Sequence, residues 1–210
     1  MTDATTIAIG SAIISLMSFT VSAGTMYFAW LRRGRLCMTK PALLFFGFDA
    51  VPKHTAKIFL RTLLYSSAFR GQVIESMYAK LLRDGAEQTF GFWGYGETDK
   101  ITPGSGLYVG QAGVTVNHHF VLSVHQPAYE FVKGDYTIEV FARLVGRSAP
   151  IRLSRIRLFV DDQQATALRA SSGVLFELQP DSETYVGHSR DRDSLKLAGE
   201  HRNLCEEQAE

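Results

Sequence analysis

Six histidines among 210 residues raise the question of a bound metal. Asn117-His118-His119 is where the sequence comes nearest to one. Imidazole ligates zinc, but neighbours on a strand point to opposite faces, so His118 and His119 reach one ion only across a bulge. Further ligands would have to come from His125, Asp135 or Glu139, none at a recognised spacing. Alternation assigns His118 to the core and His119 to the surface, and the pattern assigns no metal ligand, no catalytic residue and no cofactor. A metal-binding or catalytic β domain around His118, His119 and His125 is kept as an alternative. Nucleophile and phosphate motifs fare no better. There is no G-x-S-x-G, and Gly104-Ser105-Gly106 leads into a strand where a phosphate-cradling loop needs a helix behind it.

Arg152, Arg155 and Arg157 share the outward phase of one strand once a bulge at Ser154-Arg155 is allowed. Such a stripe suits anionic lipid headgroups or an acidic partner, and it also discourages edge pairing. Phe90, Phe92, Trp93 and Tyr95 form an aromatic group of the kind on which bases stack. No basic residues interleave with it, however, and Phe90 and Phe92 fall in a core phase. With a net charge of +1 over the whole chain, nucleic acid is not an expected partner.

The element that must position all of this lies at the start of the chain. From Thr6 to Leu31, 26 residues run without Asp, Glu, Lys or Arg, and a helix of that length crosses a hydrocarbon core about 30 Å thick. Arg32, Arg33, Arg35 and Lys40 follow at once, so the positive-inside rule puts the N-terminus outside and the domain in the cytoplasm. Tyr27 and Trp30 sit at the basic end, where amphipathic rings favour the headgroup layer. The expectation is a single-pass protein of a cell membrane, inner or plasma, with membrane lipid as one partner. A cleaved signal peptide is the rival, with Val21 and Ala23 before Gly24, but its basic residues would precede the apolar run. An exported binding domain of inverted topology is the corresponding alternative. A buried core helix would suit an apolar run of about 10–14 residues better.

Within the run, Ala8, Ser11, Ser15, Ser18, Ser22, Thr25 and Ala29 recur at spacings of three and four, one stripe of small and hydroxyl side chains. In lipid such a stripe lets two backbones approach, which would give a homodimer through the helix. Alternatively, each hydroxyl is satisfied by a carbonyl one turn back.

These readings divide the chain into a flank (1–5), a transmembrane helix (6–31), a basic juxtamembrane linker (32–41), a β domain (42–181) and a polar, disordered tail (182–210). Cys37 and Cys205 are the only cysteines, too few for a disulfide framework and compatible with a reducing compartment. Cys37 is close enough to the membrane to be acylated, and an inert thiol is the simpler state.

The domain reads as short strands. Ala42 to Phe48 is a buried strand, and Ile58, Leu60, Thr62 and Leu64 alternate in a second. Residues 71–83 fit helix or strand, and the Asp84-Gly85 hairpin signal decides for strand in the C-terminal half. Pairing outward from that turn sets Ala79 opposite Phe90 and Met77 opposite Phe92. Leu107 to Val109, Val114 to Val124, Tyr136 to Leu144, the bulged PIRLSRIRLFV and Val174 to Leu178 complete the set, with no helix expected inside the domain. The fold class is all-β, an antiparallel two-sheet sandwich preceded by one transmembrane helix.

The segment KGDYTIEVFARLV resembles a strand of immunoglobulin-like and fibronectin-III-like domains, the one that begins at a turn with Gly, one residue and Tyr. The resemblance implies a fold class and no activity. The functional expectation is a membrane-anchored cytoplasmic interaction or scaffold module with an unknown protein partner, and no enzyme.

Overall fold

The computed structural model describes residues 2–28, 34–49, 55–96, 101–123, 125–179 and 181–190. Ala29, Trp30, Leu31, Arg32, Arg33, Val124, Cys205 and residues 191–210, on which parts of the sequence reading fall, lie outside the described residues.

α1 spans Thr2–Met26, so the flank expected at 1–5 is helical from its second residue. Ala4–Met26 is long and apolar enough to cross a membrane, and none of its most apolar window is buried against the protein. A helix folded onto the domain would hide one face, so the buried-core-helix reading falls. A signal sequence has the same length and composition.

Among the described residues, thirteen strands and a second helix follow: β1 (Leu36–Met38), β2 (Leu43–Asp49), β3 (Thr55–Ser66), β4 (Gln72–Arg83), β5 (Ala86–Phe90), β6 (Phe92–Tyr95), β7 (Thr102–Pro103), β8 (Leu107–Val109), β9 (Val114–Val121), β10 (Gly134–Leu144), β11 (Ile151–Val160), α2 (Asp162–Arg169), β12 (Gly173–Leu178) and β13 (Tyr185–Arg190). The larger sheet runs β13-β12-β2-β3-β9-β6-β7 with β1 on the end of β3, and the smaller runs β11-β10-β4-β5 with β8 on the end of β4. All pairings are antiparallel. Alternate residues from both sheets meet in one core: Phe46, Ile58 and Phe120 from the larger, Met77, Leu81 and Val140 from the smaller.

The strand choice for residues 71–83 extends to Gln72–Arg83. Asp84 and Gly85 turn with positive φ at both positions (49° and 81°), the backbone that a two-residue hairpin requires and that Asp-Gly tolerates. Ala79 pairs with Phe90 as expected. The next expected pair fails, because Met77 lies opposite Ala142 and Phe92 opposite Val121 in the other sheet. At Gly91 the chain leaves one sheet for the other, so Trp93 turns inward and Phe92 is left 52% exposed.

Four further expectations need correction. The 32–41 linker contains β1, which pairs Leu36 with Ser66. The tail expected from residue 182 contains β13, which pairs Gly173–Leu178 across its whole length. The domain does hold a helix, α2, and its signal was present as a capping box: Asp161 Oδ1 accepts from Gln164 N at 2.7 Å while Gln164 Oε1 accepts from Asp161 N at 3.1 Å. The bulge in β11 falls at Leu153, where the register passes from Val140↔Ser154 to Phe141↔Arg152. Its consequence is the expected one, with Ile156, Leu158 and Val160 buried.

Tyr136, from the segment that carries the immunoglobulin-like resemblance, is 1% exposed. Its hydroxyl donates to Val132 O at 2.6 Å and accepts from Val132 N at 2.9 Å. A tyrosine hydroxyl bonded back to the backbone four residues upstream is the corner device of such sandwiches.

Candidate functional site

The histidines are placed by β9, and their two rings leave opposite faces of it as the sequence requires. His118 faces the core, where Trp93 Nε1 donates to His118 Nδ1 at 3.1 Å. An indole N–H can only donate, so Nδ1 is the acceptor and the ring's proton sits on Nε2. Burial, with a smaller contribution from His119, lowers the pKa of His118 from 6.5 to about 3, so the ring is neutral at ordinary pH. Among the described residues, neither His118 Nε2 nor Thr62 Oγ1 has a hydrogen-bond partner. Thr62 and His118 face the same interior, one cross-strand step apart.

His119 was expected on the surface and is 2% exposed. Alternation gives the face of a residue but not what covers that face. β9 lies between β3 and β6; His119 packs against Phe59 at 5.0 Å between centroids, with Nε2 3.2 Å from the Gly96 carbonyl. His125 stands exposed in the segment after β9. The pair and His125 are therefore dispersed over a core, a sheet face and a loop. No group of three metal-ligating side chains gathers among the described residues. Gly104-Ser105-Gly106 forms the turn between β7 and β8, fixed by Gly104 N donating to Trp93 O at 2.8 Å.

Arg152, Arg155 and Arg157 are exposed along the outer face of β11. Glu139, on the neighbouring β10, sits 2.8 Å from Arg152 Nη1 and 3.5 Å from Arg155 Nε. That carboxylate offsets part of the stripe's charge, which weighs towards a charged edge and away from a free anion site. Of the aromatic group, Phe90 and Trp93 belong to the core, Tyr95 packs against Trp93, and Phe92 is exposed.

In α1, the stripe hydroxyls Ser11 and Thr25 donate to the carbonyls of Ala8 (2.9 Å) and Val21 (2.8 Å) in their own helix. A pairing seam would then rest on Ser15, Ser18 and Ser22. Of the orienting residues, Arg35 and Lys40 are exposed, and Lys40 Nζ bonds Glu183.

A surface cleft of about 410 Å³ lies where the chain enters the domain, lined by Gly34, Arg70, Gly71, Tyr108, Val145 and Arg147 among others. Arg35 N donates to Ser67 Oγ at 2.8 Å and Ser67 N to Arg35 O at 2.9 Å, while Gln72 Nε2 donates to Gly34 O. These bonds tie the entry point to the β3–β4 turn. A Cβ at Gly71 would meet the Tyr108 ring at 2.4 Å, so glycine there lets the ring lie across the backbone. Sequence reading missed this site. Its residues come from the entry segment, two turns, the three-residue β8 and the ends of β4 and β10, without periodicity, and only the pairing of β3, β4, β8 and β10 gathers them.

No family model matches the chain, and no curated protein does. Among solved structures, the sporulation control protein Spo0M from Bacillus subtilis is similar over 84% of this chain and 97% of its own, at 10% identity and a TM-score of 0.26. So distant a likeness carries no argument about fold or function.

Proposed function

We propose that this chain is a single-pass membrane protein that holds a β-sandwich interaction module at the cytoplasmic face and works by binding a protein partner. The observation behind the reading is α1, an apolar helix with none of its most apolar window buried, joined by residues 29–33 to a domain whose own core is closed. An apolar surface of that size left in water would aggregate, and a bilayer is the solvent that suits it. The basic residues Arg32, Arg33, Arg35 and Lys40 lie on the domain side of it, which favours the cytoplasmic orientation. A tether raises the effective concentration of the domain for anything else at that surface, so modest affinity suffices.

Alkaline extraction of membranes containing the full chain, with mass measurement of its N-terminus, tests the anchor. Retention with Met1 or Thr2 at the N-terminus supports the reading. Release into the supernatant, or a mature chain starting near Gly24, overturns it in favour of a cleaved signal.

A further inference from the structure

The exposed apolar side chains of the domain are not spread evenly. Of the eight exposed large apolar side chains of the domain among the described residues, five gather at one end of the sandwich, Tyr65, Phe69, Val73, Tyr108 and Val145, with Phe69 at 74%; the other three are Phe92, Phe159 and Val186. Val73 faces Tyr108 in the β4–β8 register, Val145 N donates to Val73 O at 3.0 Å, and Phe69 tips the β3–β4 turn. Arg35, Arg70 and Arg147 are exposed at the same end. Among the described residues, the turn and entry segments at that end, 34–35, 67–71, 107–113 and 145–150, contain no Asp or Glu, and Glu75 on β4 is the acidic residue nearest in sequence to Val73.

This is also the end that the N-terminal helix reaches. Gly34 is six residues beyond Phe28, a span of at most about 20 Å even when fully extended, and the Arg35–Ser67 bonds fix where the chain arrives. Aromatic rings beside arginines are the composition that settles into a headgroup layer, rings at the acyl boundary and guanidiniums on phosphate.

We infer that this end of the sandwich docks on the anionic headgroup layer of the membrane that holds α1. Phe69, Tyr108 and Val145 enter the interface, and Arg35, Arg70 and Arg147 pair with lipid phosphates. The inference rests on the anchored reading and deepens it, because it fixes which surface is occupied by lipid and which is left for a partner. Each arginine is worth roughly a fivefold change in docking at an anionic surface. The linkage to α1 keeps the local concentration high enough for a weak contact to be populated.

The test uses the full chain with Cys37→Ser and Cys205→Ser and an environment-sensitive nitrobenzoxadiazole reporter at position 69 (Phe69→Cys). The chain is reconstituted in phosphatidylcholine vesicles with and without phosphatidylserine. A second chain carries the reporter at the opposite end (Ala86→Cys), and flotation after alkali treatment is recorded first. Docking gives a blue-shifted, brightened emission at position 69 with phosphatidylserine and no change at position 86. Arg70→Gln with Arg147→Gln moves position 69 to its value in neutral lipid, a loss of roughly twenty-five-fold in docking. A chain stripped by alkali removes the anchor reading and this one together. A chain that floats but shows the same emission at position 69 in both lipids overturns docking alone, leaving that end for a protein. A shift in neutral lipid that grows with protein-to-lipid ratio also overturns it, because a second copy then covers the end.

Discussion

The two ends of the sandwich are built from different materials. The end distant from the helix attachment closes on itself: α2 is capped by Asp161, Gln164 Nε2 donates to Gly187 O at 3.0 Å, and Tyr136 clasps Val132. Its charges are mixed and partly paired, Asp84 with Arg83 and Asp162 with Lys133, beside Glu130, Asp161 and Arg169. The attachment end is held by Arg35 with Ser67, Gln72 with Gly34 and Ser66 with Gly110 and Arg70, yet it shows rings to solvent, and among the described residues its segments 34–35, 67–71 and 145–150 carry arginines and no carboxylate. One end closes over a capped helix and a tyrosine clasp, and the other, though bonded through Ser66, Ser67 and Gln72, presents rings and arginines outward. An outward-turned apolar and basic surface within a few residues of an apolar helix is the composition that the docking inference rests on.

The comparison presumes that both ends hang on one core, and acid tests that presumption with the largest expected effect. His118 is neutral in the folded protein with a pKa of about 3 against 6.5, so the unfolded chain binds the extra proton between those values. The stability His118 protects is complete above pH 6.5 and falls as pH drops towards 3, by about 1.4 kcal/mol per pH unit. Denaturant melts between pH 7 and 4.5 should show that slope with both ends unfolding together, and His118→Phe should flatten it. The variant starts from a lower baseline, by about 1–3 kcal/mol, because Trp93 Nε1 loses its acceptor. Equal slopes in the two proteins would contradict the assignment.

At the closed end, Gln164→Ala removes the capping partner and the bond to Gly187. It should cost about 2 kcal/mol and loosen β13, seen as faster amide exchange over Tyr185–Arg190. Tyr136→Phe should cost about 1–2 kcal/mol by leaving the Val132 backbone groups without the hydroxyl. At the attachment end, Phe69→Ser with Tyr108→Ser should move stability by no more than about 0.5 kcal/mol, because exposed side chains contribute little to folding. A larger loss there would mean that the end is structural and erase the contrast.

Much of this was legible beforehand. The strands that alternate strictly, such as Tyr136 to Leu144, kept their phase because a buried face punishes a slip by reversing every side chain. The Asp84-Gly85 hairpin was legible because its backbone demands those residue types. What failed depended on covering and on sheet membership. Alternation could not say that Phe59 and the Gly96 backbone lie over His119. Nothing in GFWGY announces that Gly91 hands the chain to the other sheet. α2 was missed because eight residues among strands give no long period, although Asp161 and Gln164 were at capping-box spacing. The attachment-end surface was illegible because its members are separated by up to 112 residues, from Arg35 to Arg147, and become neighbours only through strand pairing.

The smallest expected effect concerns α1 itself. Replacing Ser15, Ser18 and Ser22 together by Leu should weaken self-association in a membrane dimerisation assay, each lost contact being worth about 0.6 kcal/mol. The same change at Ile14, Met17 and Val21 to Ala should matter less. No difference between the two sets would leave the hydroxyls bonded within their own helix, as Ser11 and Thr25 are.

The most direct test of a domain held against the cytoplasmic face is a pair of topology reporters fused after Glu210, one active only in the cytoplasm and one only on the exported side. The expected result is activity of the cytoplasmic reporter alone, reversed when Arg32, Arg33, Arg35 and Lys40 are replaced and basic residues are placed before Thr6. Activity of the exported reporter with the native sequence would contradict the orientation, and with it the meeting of the basic end with the anionic leaflet.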